Sequence, residues 1–108
     1  SGGIDMLVGV RRDGRVAGVR VLQHRETPGL GDAIDRRRSD WIESFRGRAL
    51  GDPPAARWTV RRDGGAFDQF TGATITPRAV VQATRRALEY VAANRDHLFG
   101  RSADEEST

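Results

Sequence analysis

A chain of 108 residues, 37% hydrophobic and 31% charged, has room for one small soluble domain and not for two independent cores. Its formal charge of +3 comes from 18 basic residues, all arginine, dispersed among 15 acids; no nucleic-acid surface is expected from such a distribution. The lack of cysteine excludes disulfides, thiolate-held zinc, iron–sulfur clusters and thiol catalysis, and His24 and His97 lie too far apart to suggest a metal site.

Residues 4–10 place Ile4, Met6, Val8 and Val10 on one face, the two-residue period of a strand. Residues 16–22 predict a second strand, with Ala17, Val19 and Val21 on an apolar face and Val16, Gly18, Arg20 and Leu22 on a mixed one. Asp13-Gly14 between them supplies a turn that tolerates positive φ, so the pair predicts a β-hairpin. A strand starting so near the N-terminus suggests a piece of a longer protein. Next, His24-Arg25-Glu26-Thr27-Pro28-Gly29-Leu30-Gly31 carries no periodicity. Pro28 fixes its own φ and the two glycines permit unusual backbone angles, which predicts a shaped loop; a plain connection is the competing reading.

Arg36-Arg37-Arg38, flanked by Asp35 and Asp40, reads as a solvated face. Residues 39–45 predict a short helix, with Ser39 as its cap and Trp41, Ile42 and Phe45 on one side. Gly51-Asp52-Pro53-Pro54 breaks the chain. Residues 58–62 then predict a third strand, alternating Trp58, Val60 and Arg62 against Thr59 and Arg61, which Asp63-Gly64-Gly65 turns. Trp41 and Trp58 are expected in the core. The strongest helix signal follows: Thr76 suits the N-cap, Pro77 the first helical position, and Val80, Thr84, Ala87, Leu88 and Val91 form a stripe that runs out near Asn94. Residues 100–108 are polar and acidic and predict a disordered tail. No apolar run approaches the roughly 18–20 residues of a membrane span, and no signal-peptide pattern opens the chain. The expected class is α+β, an antiparallel β-sheet with helices packed against it, built from residues 1–99.

The segment Asp68-Gln69-Phe70-Thr71-Gly72-Ala73-Thr74 lies just before the long helix. A helix start offers unpaired N–H groups and a partial positive charge, Gly72 and Ala73 let a ligand approach the backbone, and a threonine hydroxyl can be esterified. An anion site is therefore permitted here, although an ordinary capped loop explains the same residues.

The same segment resembles the D-x-x-(S/T)-G-A-T signature at which flavin transferases attach FMN, and Glu26-Thr27-Pro28-Gly29-Leu30-Gly31 resembles the E-T-P-G-L-G loop of the same FMN-binding domains. Two motifs in the family's order, behind a similar hairpin, are far more specific than either alone. The chain resembles the FMN-binding domain of the G subunit of the Rnf electron-transport complex, with the C subunit of the sodium-pumping quinone reductase as a relative; the resemblance implies that their N-terminal anchor and the region before the hairpin are to be expected outside this piece.

That resemblance implies a set of roles. Thr74 would carry FMN covalently by a phosphoester, making the chain a phosphoprotein in the chemical sense, with a flavin transferase as its maturation partner. Gly72 and Ala73, beside Thr71 in the same cofactor-binding segment, would give clearance to the phosphate. Asp68 would help the transferase recognise the site, with a plain turn aspartate as the competing reading. Thr76 is a competing acceptor whose own signal as an N-cap suffices to explain it. The loop of Glu26, Thr27, Pro28, Gly29, Leu30 and Gly31 would lie against the isoalloxazine ring, with Leu30 as the apolar contact and His24 as a further contributor. The implied function is electron transfer within an ion-translocating ferredoxin:NAD oxidoreductase complex, beside other Rnf-type membrane subunits. The native protein would be anchored in the bacterial inner membrane with this domain on the periplasmic side. No catalytic acid–base pair is evident, so turnover would need partner subunits. A quinone-reductase C-type subunit, a stand-alone flavodomain and an unmodified interaction module remain alternatives.

Overall fold

The alternation at the start of the chain produces the hairpin it predicts. In the computed structural model, which describes residues 3–100, β1 (Asp5–Val10) pairs antiparallel with β2 (Val16–Gln23). Arg11 and Arg15 close a three-residue loop, with Gly14 at φ +88° and the Asp13 carboxylate accepting from the Arg15 N–H at 3.0 Å. The faces of β2 differ from expectation. Val10 pairs with Val16 and Gly9 with Gly18, so Ala17 has no partner; Leu22 is likewise skipped between Met6–Val21 and Asp5–Gln23. Each extra residue is a bulge that shifts the alternation by one. Val16 and Val19 are therefore both buried, while Ala17, expected inside, is exposed.

A second correction concerns residues 58–62, which form no strand. Trp58 and Val60 do share an inward face, at 1% and 0% exposure, but Arg62, expected on that face with them, points out. However, the backbone partners are local. The Gly65 N–H bonds the Val60 carbonyl, the Ala66 N–H bonds that of Arg57, and Val60 makes one parallel bridge with Phe67. The chain recrosses itself so closely that a Cβ on Gly65 would overlap the Thr59 carbonyl. This close approach between two short 3₁₀ turns, Ala55–Arg57 and Arg61–Asp63, uses the hydrogen bonds a strand would give to a sheet.

The short helix at residues 39–45 appears as a 3₁₀ turn, Trp41–Phe45, with the Ser39 hydroxyl accepting from the Trp41 N–H at 3.0 Å. Its three inward side chains are the expected Trp41, Ile42 and Phe45. They join Trp58, Val60, Phe67, Val16, Val19 and Ile34 in one core that helix α1 (Ile75–Ala93) closes with Val80, Val81 and Leu88. Phe45 stacks on Phe67 at 4.8 Å and Trp58 tilts against Phe67 at 5.1 Å. Helix α1 ends at Asn94, as its stripe predicts, and the short α2 (Arg95–Phe99) follows. Its start needs correction: Thr74, not Thr76, occupies the cap position, since the Thr74 carbonyl takes the first helical bond from the Arg78 N–H at 3.2 Å. Arg36, Arg37 and Arg38 are exposed and pair with Asp40, Asp35 and Asp32. The expected tail at 101–108 lies outside the described residues. The result is an α+β fold, a two-stranded antiparallel sheet and one long helix enclosing an aromatic core.

Candidate functional site

Both motif segments fold into tight turns, and for the same chemical reason. Thr27-Pro28-Gly29-Leu30 closes with the Leu30 N–H on the Thr27 carbonyl at 3.0 Å, with Pro28 second and Gly29 third at φ +80°. Phe70-Thr71-Gly72-Ala73 closes with the Ala73 N–H on the Phe70 carbonyl at 3.2 Å, with Gly72 third at φ +75°. Both match the type II pattern, in which only the third residue needs positive φ.

The structure brings these turns together at the start of α1. The Leu30 side chain lies 3.5 Å from the point where a Cβ on Gly72 would sit. The Thr76 hydroxyl donates to the Glu26 carboxylate, a contact across 50 positions of sequence. Gly31 is buried between them, with Glu26 Oε1 and Thr76 Oγ1 each 2.8 Å from where its Cβ would be. Thus Glu26, Leu30, Gly31, Gly72 and Thr76 form one contact region. Thr27, Pro28 and Gly29 are the exposed tip of one turn, Thr71 is exposed on the other, and Ala73 and Thr74 are half-buried beside it.

Thr76 was expected to cap the helix; instead it sits inside the first turn at 8% exposure, with its hydroxyl turned to Glu26. Thr74 makes no side-chain capping bond, which leaves its hydroxyl uncommitted at the helix start. The N–H groups of the first turn have no partner within the helix, and Pro77 has none to offer. The free N–H groups there, beside a turn with no side chain at Gly72, leave room for an anion.

Several supporting contacts carry no sequence signal. Asp68 is exposed but paired with Arg61, and its carbonyl accepts from Trp41 Nε1 at 2.9 Å. Phe70 packs edge-on against Trp41 with centroids 5.1 Å apart. Gln69 accepts from the Arg62 N–H at 3.1 Å. On the other turn, the Glu26 N–H donates to His24 Nδ1 at 3.0 Å, and His24 Nε2 lies 3.6 Å from the Asp35 carboxylate. Side-chain hydrogen bonds from Arg37, with the Arg37 N–H, hold Asp35 well below the usual carboxylate range against the opposing effect of its burial. His24, Glu26, Pro28, Asp35 and Arg37 line an open polar cleft of about 340 Å³. Among the described residues, no helix is long and apolar enough to cross a membrane.

The comparisons with known proteins give the family. The model of the FMN-binding domain family matches residues 1–89. A Pseudomonas aeruginosa protein, named as the G subunit of an ion-translocating oxidoreductase complex, is 58% identical over 99 residues, covering 92% of this chain and 46% of its own. Proteins of that name from Vibrio atlanticus and Shewanella loihica are 57% identical over 99 residues and 51% identical over 104, covering 92% and 96% of this chain and 47% and 49% of theirs. The chain therefore spans about half the length of the relatives it matches. With a family model over most of its length, and both motif turns meeting at one helix start, the chain belongs to the FMN-binding domain family.

Proposed function

We propose that this chain carries FMN covalently through Thr74 and relays electrons as part of an ion-translocating oxidoreductase complex of the kind its relatives are named for. The observation that carries the reading is the meeting of the two turns at an uncommitted threonine: Leu30 against Gly72, with Thr74 at the cap of α1 and its hydroxyl free of capping. The residues fit the group. Gly72 and the helix start accommodate a phosphate, and Leu30, 41% exposed at the same place, offers apolar surface to a ring.

Attachment would proceed by group transfer from FAD on a flavin transferase. The Thr74 oxygen forms a bond to the FMN-side phosphorus, the phosphoanhydride bond breaks, AMP departs, and the hydroxyl proton passes to a base of the transferase. Once bound, FMN supplies one- and two-electron redox chemistry. The protein holds the phosphate at Thr74, sets the ring surface with Leu30, and prevents loss of the cofactor from an exposed site. Other subunits of an ion-translocating oxidoreductase complex are part of this proposal, supported by the relatives' name. Ferredoxin and NAD as terminal partners, an anchor in the inner membrane and a periplasmic position are further parts of it that rest on the motif resemblance alone. The assignment of residues 1–99 as the domain and 100–108 as its tail is also part of the proposal.

Intact mass after co-expression with a flavin transferase tests the acceptor. The wild type should gain the mass of one FMN ester and stay yellow in denaturant. Thr74→Val, which keeps the shape but has no oxygen, should lose both. An adduct that persists in Thr74→Val, or flavin that washes out of the denatured wild type, overturns the reading.

A further inference from the structure

The bond between Glu26 and Thr76 joins the two motif segments, and neither residue is the acceptor. We infer that Glu26 and Thr76 form a latch that fixes the ring-contacting loop to the helical turn carrying the phosphate, so that anchor and ring share one rigid frame. The inference rests on the FMN reading above. A phosphoester leaves the ring at the end of a flexible chain of rotatable bonds, so attachment alone does not orient it. Orientation needs the loop of Leu30 held at a fixed place relative to Thr74.

Three observations describe such a device. Thr76 stands two residues after Thr74, in the first turn of α1, and its hydroxyl donates to the Glu26 carboxylate. Glu26 is itself held from behind, by its N–H on His24 Nδ1 at 3.0 Å. Gly31 at the far end of the loop sits so tightly against both partners that a Cβ would lie 2.8 Å from Glu26 Oε1 and from Thr76 Oγ1. The loop is thus clasped at both ends around one hydrogen bond, with Leu30 delivered to Gly72 between them. The latch also accounts for acceptor choice. Thr76 is 8% exposed with its hydroxyl already donated, whereas Thr74 is half-buried and uncommitted.

Glu26 and Thr76 are therefore positioning residues, and their test needs readouts that simple destabilisation would not move. In the flavinylated protein, Thr76→Val and Glu26→Ala should retain the mass adduct at Thr74. Their visible circular dichroism should collapse, flavin fluorescence should depolarise faster, and the midpoint potential should move. Thr76→Ser and Glu26→Gln, which keep a donor and an acceptor, should restore the wild-type signals. Without flavin, hydrogen exchange at the Leu30 and Gly31 amides should accelerate in Thr76→Val and not in Thr76→Ser. Wild-type dichroism, depolarisation and potential in a folded Thr76→Val holoprotein would overturn the latch, as would failure of Thr76→Ser to rescue. Mass and exchange together separate the two readings: absence of the mass adduct from the wild type removes the flavin role, whereas unchanged exchange in Thr76→Val removes the latch.

Discussion

The two turns that meet at the start of α1 share a backbone design and differ in what holds them. The turn at residues 70–73 hangs from the aromatic core: Phe70 lies edge-on to Trp41, and Trp41 binds the Asp68 carbonyl. The turn at residues 27–30 is held by polar groups, the Glu26 carboxylate on Thr76, the Glu26 N–H on His24, and His24 beside Asp35. Apolar packing resists displacement in every direction and tolerates small shifts; hydrogen bonds are directional and fail when one partner changes. An attachment point needs the first property. A surface that sets the environment of a ring needs the second. With FMN attached at Thr74 as proposed, the 70–73 turn would fix where the cofactor is, and the 27–30 turn how it is oriented.

The largest effect expected from this contrast is at Phe70. Truncation to alanine removes a half-buried ring from the Trp41 edge, and stability should fall by about 2–4 kcal/mol. Urea denaturation checks the loss, and intact mass should report slower flavinylation because the turn before Thr74 is no longer held. A cost under about 1 kcal/mol would place the anchorage of the 70–73 turn elsewhere and break the comparison.

The sequence discloses the two turns far better than it discloses their supports. Pro28-Gly29 and Thr71-Gly72 carry their geometry in their residue types, because proline fixes its own φ and glycine takes positive φ at no steric cost. The long helix is equally plain, as its stripe has a single period. What cannot be read is any pairing that depends on where distant segments arrive. Nothing near Asp68 announces Arg61 as its partner, and nothing near Thr76 announces Glu26. Thr76 reads as a cap because Thr-Pro fits a helix start, yet a residue two positions earlier serves as well; the choice is made by a carboxylate from the other motif. The strand expected at residues 58–62 fails in a related way. Alternation reports which side chains face the core, and it does so correctly for Trp58 and Val60, but it does not say where the backbone hydrogen bonds go. At β2 the error is a bulge, one unmatched residue that turns Ala17 out and Val16 in.

A smaller effect should distinguish the polar turn by its response to acid. Asp35 is held below the ordinary carboxylate range by Arg37, so it favours the folded state at pH values above its unfolded pKa of about 3.9. That contribution fades as pH falls through the folded-state value, when the carboxyl takes up its proton and the Arg37 bonds weaken. Asp35→Asn should therefore melt lower than the wild type near neutrality, and the gap should close on acidification below about pH 4. Melting curves across that range measure it. Hydrogen exchange should show the 26–31 loop loosening in acid before the 70–73 turn, which has its aromatic hold. A gap that stays constant with pH would mean Asp35 acts by packing alone.

The smallest change in stability and the most specific change in function should come from Leu30. It is 41% exposed, so truncation to alanine removes little buried surface and should cost roughly 0.5–1 kcal/mol, far less than Phe70→Ala. The main-chain turn is set by Pro28 and Gly29 and the latch by Glu26 and Thr76, so neither depends on the Leu30 side chain. Attachment at Thr74 should be complete in Leu30→Ala, because the two positions belong to different turns. What changes is the apolar surface beside Gly72, which lets water reach the ring. Oxidised and reduced flavin differ in charge distribution, so added water need not favour them equally, and both the midpoint potential and the visible bands should shift. Phe70→Ala should give the opposite pattern, with impaired stability and slower attachment but, once FMN is in place, a smaller change in potential. A fully flavinylated Leu30→Ala protein with wild-type spectrum and potential would remove the 27–30 turn from the ring's surroundings, and the division between an anchoring turn and an orienting turn would fall with it.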